Sequence, residues 1–220
     1  MHLFDIIGPV MIGPSSSHTA GAARIGLVAR SLLEKEPVRA RVGLHGSFAD
    51  TYSGHGTDRA IIAGLLGMPV DDERIRDSRK YADEAGLTVD FYKLELREAH
   101  PNTAVIDVED LAGNRMHIQA SSVGGGAIRV DELDGLKVSF SLMQDTLVFE
   151  HRDAPGVVAR VSGMLAEAGV NIATMQVFRD RIGGRAVMVL ELDSLPEPET
   201  LAAMRAAEDV RRVTLLRKQA

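Results

Sequence analysis

"EHRDAPGVVARVSGMLAEAGVNIATMQVFR", residues 150–179, contains the end of one strand, a turn, a helix and a second strand. Just upstream, "TLVFEH" (146–151) alternates apolar and polar residues as a half-buried strand does, and "DAPG" (153–156) supplies the Pro and Gly of a turn. In "VVARVSGMLAEA" (157–168), Val157, Val161, Met164, Leu165 and Ala168 recur at helical spacing, and Gly169 stands where a glycine ends a helix. "VNIATMQVF" (170–178) and "RAVMVLELD" (185–193) follow as strands, joined by a hairpin at Gly183-Gly184. "PEPETLAAMRAAE" (196–208) is a second helix with proline near its start, and "VRRVTLLR" (210–217) is the last strand. The order βαββαβ predicts an antiparallel sheet with both helices on one face, a ferredoxin-like domain over residues 146–220.

Upstream, the pattern is less regular and predicts an α+β domain over residues 1–143, with a short linker near Met143–Asp145. Helices are expected over 19–36, 54–67 and 78–86, and strands over 38–48, 87–96, 102–111 and 115–123, closed by "GGGAIRVDELDG" (124–135). In the first helix, Ala22, Gly26 and Arg30 follow one another four residues apart, and so small a face predicts close packing on another element. In the second, Thr57 is placed as N-cap, Asp58 in the first turn and Gly67 as the stop.

Composition narrows the function. The chain has 220 residues, 45% hydrophobic and 25% charged, which is ordinary for a globular protein of one large or two small domains. No apolar run nears the roughly 18 residues needed to span a bilayer. The start, "MHLFDIIGPVMIGP", lacks the basic segment and cleavage site of a signal peptide, so a cytoplasmic protein without membrane contact is expected. A net charge of −6 argues against nucleic acid as a partner. Residues 146–220 hold ten acidic and ten basic side chains, so the whole excess of six negatives lies in residues 1–145. Six of the seven histidines lie there too, which directs the search for chemistry to the first domain. The complete absence of cysteine excludes disulfides, a thiol nucleophile and any metal cluster held by thiolates of this chain.

Four segments of the first domain carry groups able to do chemistry. "GPSSSHTAGAARIG" (13–26) places Ser15, Ser16, Ser17, His18 and Thr19 where a loop becomes a helix, with Gly13-Pro14 fixing the turn. One hydroxyl caps a helix; five polar groups at its positive end suit a carboxylate or phosphate. "SGHGTD" (53–58) repeats the arrangement with His55 ahead of Thr57 and Asp58. Positive helix ends disfavour imidazolium, so both rings are expected to be neutral near pH 7 and able to accept a proton. Either histidine alone would be ordinary structure; two in matching contexts point to function. "AHPNT" (99–103) displays His100 and Asn102 about a proline that keeps the chain extended, and "SSVGGG" (121–126) offers either a close backbone approach or a flexible loop.

Two resemblances follow from these stretches. Residues 150–179, with their Asp-x-Pro-Gly turn and Gly-Val-Asn-Ile, resemble the ACT domain, a module that binds amino acids and pairs with a second copy of itself. The resemblance implies homodimerisation through this domain and an effector site at Asp153, Gly156, Asn171 and Ile172. Alternatively, Asp153 caps the helix, Asn171 makes a turn, and the domain serves assembly alone. "GPSSSHTAGAARIG", "GSFADTYSGHGTDRAIIAGLLG", "HPNT" and "SSVGGG" resemble the beta chains of bacterial iron–sulfur L-serine dehydratases (L-serine ammonia-lyases). That family removes water from L-serine with a [4Fe–4S] cluster, and the product becomes pyruvate and ammonia. In its two-chain form the cluster thiolates belong to an alpha chain, so no metal ligand is expected from this chain. The resemblance implies His18, His55, His100 and Asn102 as catalytic residues, with Ser15, Ser16, Ser17, Thr19, Thr57 and Asp58 around the substrate. The alternative is a non-catalytic serine-sensing or assembly module, like the regulatory tail of some phosphoglycerate dehydrogenases.

Overall fold

The structure is a computed structural model that describes residues 15–52 and 54–218, so the expected Gly13-Pro14 turn lies outside the described residues. The chain divides between Ser141 and Leu142 into two compact units. Among the described residues, no helix is long and apolar enough to cross a membrane.

In the first unit, a π-helical turn at Ser16–Gly21 runs directly into helix α1, Ala22–Leu33. Strand β1 (Pro37–His45) is followed by a short helix α2 (Ser47–Thr51), helix α3 (Thr57–Leu65), a 3₁₀ turn at Glu73–Asp77 and helix α4 (Ser78–Ala85). Strands β2 (Thr88–Lys93), β3 (Thr103–Asp110), β4 (Arg115–Gly124), β5 (Ala127–Leu133) and β6 (Leu136–Ser141) complete it. The six strands form one sheet in the order β2-β1-β3-β4-β5-β6. β1 pairs parallel with β2 and antiparallel with β3, so pairing changes direction at β1. Period-two alternation sends Val42, Ile106 and Ile118 into the core and turns Arg41, Asp107 and His117 away from it.

Three expectations are corrected here. The strand read over 38–48 stops at His45, because Gly46 adopts φ 54°, ψ −127° and turns the chain into α2. A Cβ there would stand 2.7 Å from the Pro101 carbonyl oxygen, so only glycine fits the bend. Thr57 is not the N-cap of α3; left-handed Gly56 (φ 73°) takes that position, and Thr57 is the first helical residue, fully buried. Residues 124–135, given no element by the sequence, form a turn plus β5, and "LKVSFS" adds the unforeseen strand β6. Gly124, Gly125 and Gly126 all have positive φ, and a Cβ on Gly124 would meet nothing within 4 Å. Gly124 therefore serves a backbone turn, not a close approach.

The expected tight packing is present between α1 and α3. A Cβ on Gly64 would overlap the Ala23 carbonyl oxygen and stand 2.7 Å from Leu27 N; one on Gly26 would overlap the Ile61 carbonyl oxygen. The two backbones therefore touch along these faces.

The second unit comprises β7 (Asp145–Arg152), α5 (Val157–Glu167), β8 (Ile172–Arg179), β9 (Arg185–Leu192), α6 (Pro198–Arg205) and β10 (Val210–Leu216). Its antiparallel sheet has the order β10-β7-β9-β8. Val161 and Leu165 of α5 and Met204 of α6 pack with Leu147, Phe149, Met188, Leu190 and Val213 in one core. This is the βαββαβ arrangement read from the sequence.

Candidate active site

The π-helical turn is built around His18. Ser15, in extended conformation, caps it: its Oγ accepts from the His18 backbone N–H at 3.4 Å and lies 3.3 Å from His18 Nδ1. The other ring nitrogen, Nε2, is 3.1 Å from Ser47 Oγ, the first residue of α2. Phe48 and His55 set their rings edge-on to that of His18, with centroids 5.3 Å and 5.1 Å away. His18 is only 8% exposed. Burial, reinforced by neighbouring His55, pushes its pKa below the ordinary 6.5, so the ring is neutral at neutral pH. The neutrality expected from the sequence is present, but its leading cause is burial. Ser16 and Ser17 are half-buried within this turn, and Thr19 is buried.

His55 differs from His18. It is exposed, and its ring has no hydrogen-bond partner among the described residues. Behind it, Asp58 is buried, and its Oδ2 accepts from Arg79 at 2.7 and 3.2 Å while Arg79 also donates to the Tyr52 hydroxyl at 3.3 Å. One Asp58 oxygen is thus committed to an ion pair, which leaves Oδ1 alone for any ligand.

His100 and Asn102 reach the same region through backbone. Phe48 N–H donates to the Pro101 carbonyl at 3.5 Å, which ties the His-Pro-Asn turn to the α2 bend. Asn102 N–H donates to His100 Nδ1 at 3.1 Å, so that nitrogen is an acceptor and His100 is held by its own turn. Ser122 N–H donates to the Asn102 carbonyl at 2.9 Å, and a Cβ on Gly21 would overlap Ser122 Oγ. The π-helical turn therefore rests on β4 beside Asn102. Below, Thr103 Oγ1 donates to the His100 carbonyl at 2.6 Å and lies 2.8 Å from Ser121 Oγ.

Buried polar atoms without a partner mark where something else is to be held. Among the described residues these are Thr19 Oγ1, Thr57 Oγ1, Asp58 Oδ1, Asn102 Oδ1, Ser122 Oγ and His151 Nε2. All but the last belong to the four segments that the sequence singled out. The structure brings Ser15 and His55 each into direct contact with His18 and links His100 and Asn102 to this region through Pro101 and Ser122. Ser47 and Ser122 were missed. Ser47 lay inside a stretch read as strand, and Ser122 carried no signal beyond its place in "SSVGGG".

In the second unit, the four effector candidates fall into two places. Asp153 Oδ2 accepts from Arg179 and from Gly183 N–H, both at 3.0 Å, and these bonds hold its pKa below the usual carboxylate range, the amide contributing most. It does not cap α5, whose N-cap is left-handed Gly156. Asn171 Nδ2 donates to Asp193 Oδ2 at 2.6 Å. In the sheet, Ile172 pairs with Leu192, which pairs with Asp145, whereas Arg179 lies at the opposite end near Arg152. Asp153 and Gly156 are thus separated from Asn171 and Ile172 by the length of β8, roughly 23 Å at strand rise. One copy does not bring them together. His151, buried at 2% exposure with Nε2 unpartnered, sits on the Asp153 side and carried no sequence signal beyond being the lone histidine of its half.

Comparison with known proteins agrees with this layout. The profile of the family described as "Serine dehydratase beta chain" matches residues 2–86, and that of the "ACT domain" matches residues 146–209. The chain is 44% identical to the "Probable L-serine dehydratase, beta chain" of Bacillus subtilis over 96% of each chain. It is 37% identical to the "L-serine dehydratase, beta chain" of Peptoniphilus asaccharolyticus, over 90% of this chain and 89% of that one. A "D-3-phosphoglycerate dehydrogenase" of Archaeoglobus fulgidus is 29% identical over 83% of this chain, but this covers only 35% of that protein. Full-length identity of this order, with the paired histidines and the βαββαβ unit in place, means that the chain belongs to the family of L-serine dehydratase beta chains.

Proposed function

We propose that this chain holds L-serine and moves its protons during conversion to pyruvate and ammonia, in complex with an alpha chain that carries the iron–sulfur cluster. The observation that supports this most is the ring-to-ring contact of His18 and His55, drawn from two separate loop-to-helix turns and surrounded by unpartnered polar atoms. The donor set does not fit a cluster: the sequence has no thiolate, and among the described residues no three His, Cys, Asp or Glu side chains gather as a metal site. The cluster ligands are therefore assigned to the alpha chain.

Each residue has work suited to its place. Ser15, Ser16, Ser17 and Thr19, with the free amides of the π-helical turn, offer donors to the substrate carboxylate. Asn102 Oδ1 and Asp58 Oδ1, acceptors without partners, suit its ammonium, and Thr57 Oγ1 adds a hydroxyl that can serve either group. His55, exposed and with no ring hydrogen bond among the described residues, reaches the substrate directly, while His18, held at both ring nitrogens, and His100, held at Nδ1 by its own turn, orient what lies in front of them.

Purified alone, the chain is expected to release no pyruvate from L-serine. Anaerobic reconstitution with the cysteine-bearing alpha chain and iron is expected to restore release. Turnover by the lone polypeptide would overturn the division of labour; L-serine binding with no turnover after reconstitution would instead favour the sensing module.

For the ACT unit, we propose that L-serine bridges the Asp153–Gly156 turn of one copy and Asn171–Ile172 of a second. Gly156 has φ 92° and open space beyond its Cα, so Gly156→Ala acts through backbone strain of about 1 kcal/mol, not through crowding. Calorimetric titration of the full chain should give a binding heat that falls when the protein is diluted below its dimerisation range. A heat independent of dilution would refute a two-copy site, and a flat trace from a folded dimer would leave the domain to assembly.

A further inference from the structure

Within the proposed deamination, the geometry points to Ser47 as the group that meets the substrate's Cα proton, with His18 standing behind it as the base. His18 has no free edge. Nδ1 faces Ser15 Oγ at 3.3 Å, Nε2 faces Ser47 Oγ at 3.1 Å, and the rings of Phe48 and His55 close in beside it. A ring so enclosed exchanges protons with a ligand only through a partner.

The two serine contacts fit either tautomer of His18, and the relay is the one with the proton on Nδ1. Ser15 Oγ already accepts the His18 backbone N–H, and its second lone pair is placed to accept Nδ1–H. With Nδ1 protonated, Nε2 is the bare nitrogen of a neutral imidazole, and the Ser47 hydroxyl donates to it. The Ser47 oxygen then keeps its lone pairs for the substrate. Its position is fixed by the chain: β1 ends, Gly46 bends, and Ser47 opens α2, where Thr51 Oγ1 donates to the Ser47 carbonyl at 2.7 Å. A half-buried hydroxyl on a sharp strand-to-helix bend, backed by a buried histidine, is an activated oxygen.

The step balances. The Cα–H bond breaks and its proton joins Ser47 Oγ as the hydroxyl proton of Ser47 passes to His18 Nε2. The electron pair left on Cα becomes the Cα–Cβ double bond as the Cβ–O bond breaks. The departing hydroxide and the proton returned by His18 through Ser47 make the released water. Burial disfavours the imidazolium and so drives that return.

Two measurements test this. In the isolated full chain, ¹⁵N NMR of the histidine rings should show His18 protonated at Nδ1, and Ser47→Ala should shift the His18 Nε2 resonance while leaving that of His100 in place. In the reconstituted enzyme, Ser47→Ala is expected to lower kcat by about a hundredfold or more with little change in KM, and Ser47→Thr, which keeps the hydroxyl, to retain most of it. A Ser47→Ala enzyme within about threefold of a normally active wild type would sink the relay and leave deamination standing. An effect confined to KM, or an equal loss in the Thr variant, would sink it as well. A wild-type complex that releases no pyruvate would instead be a failure of the proposed function, and the ring spectra would still judge the Ser47–His18 pairing.

Discussion

His18→Ala is expected to reduce kcat/KM for L-serine by at least about a hundredfold in the reconstituted enzyme, and His55→Ala by a similar factor. Removing the His18 ring leaves Ser15 Oγ and Ser47 Oγ without their common partner and opens a gap beside Phe48. Removing His55 takes away the exposed ring proposed to face the substrate while keeping that framework. Complex formation and cluster absorbance should survive both changes, because neither ring is assigned to iron. The pH profile separates the two roles. Burial, then His55, lowers the His18 pKa below 6.5, so the neutral ring and the activity that needs it are present above that value and lost as the pH falls through the lowered one. His55→Ala removes the neighbouring charge, so the acid limb should move to higher pH. Wild-type kinetics in both variants would return the pair to a structural role.

Gly64→Ala is expected to destabilise the first unit by about 3 kcal/mol, more than any exposed substitution. The added methyl meets backbone, the Ala23 carbonyl and Leu27 N, which cannot swing aside as a side-chain end can. Relief requires α1 and α3 to separate, and α1 runs straight out of the turn that carries His18. Thermal unfolding of this unit should therefore fall by roughly 10 °C, with activity lost below the unfolding temperature as His18 shifts. An unchanged melting curve would show that the helices have slack.

The second unit was legible because its information is local. Period-two strands, a period-3.6 helix and turn residues between them leave one arrangement. In the first unit the same rules found α1, α3, α4 and the long strands but not α2, since the alternation of "RARVGLHGSF" continues past His45 and only the packing of Gly46 on Pro101 ends the strand. Thr57 misled for a related reason. By propensity Thr caps better than Gly, yet the left-handed chain at Gly56 decided the position. Ser47 was invisible because its importance lies in a contact 29 residues away along the chain. Polar side chains clustered in sequence announced the site; polar side chains gathered by folding did not.

Asp153 and Asn171 occupy opposite ends of the ACT sheet, and this has a genetic consequence. A ligand touching both residues sits between two chains, and a symmetric pair of chains has two such seats. In a dimer of an Asp153→Ala chain with an Asn171→Ala chain, one seat inherits both lesions and the other inherits neither. Each allele by itself leaves no intact seat, and random pairing makes about half of the dimers mixed with one good seat each, so two defective genes expressed together should restore about a quarter of the ligand response that either has lost.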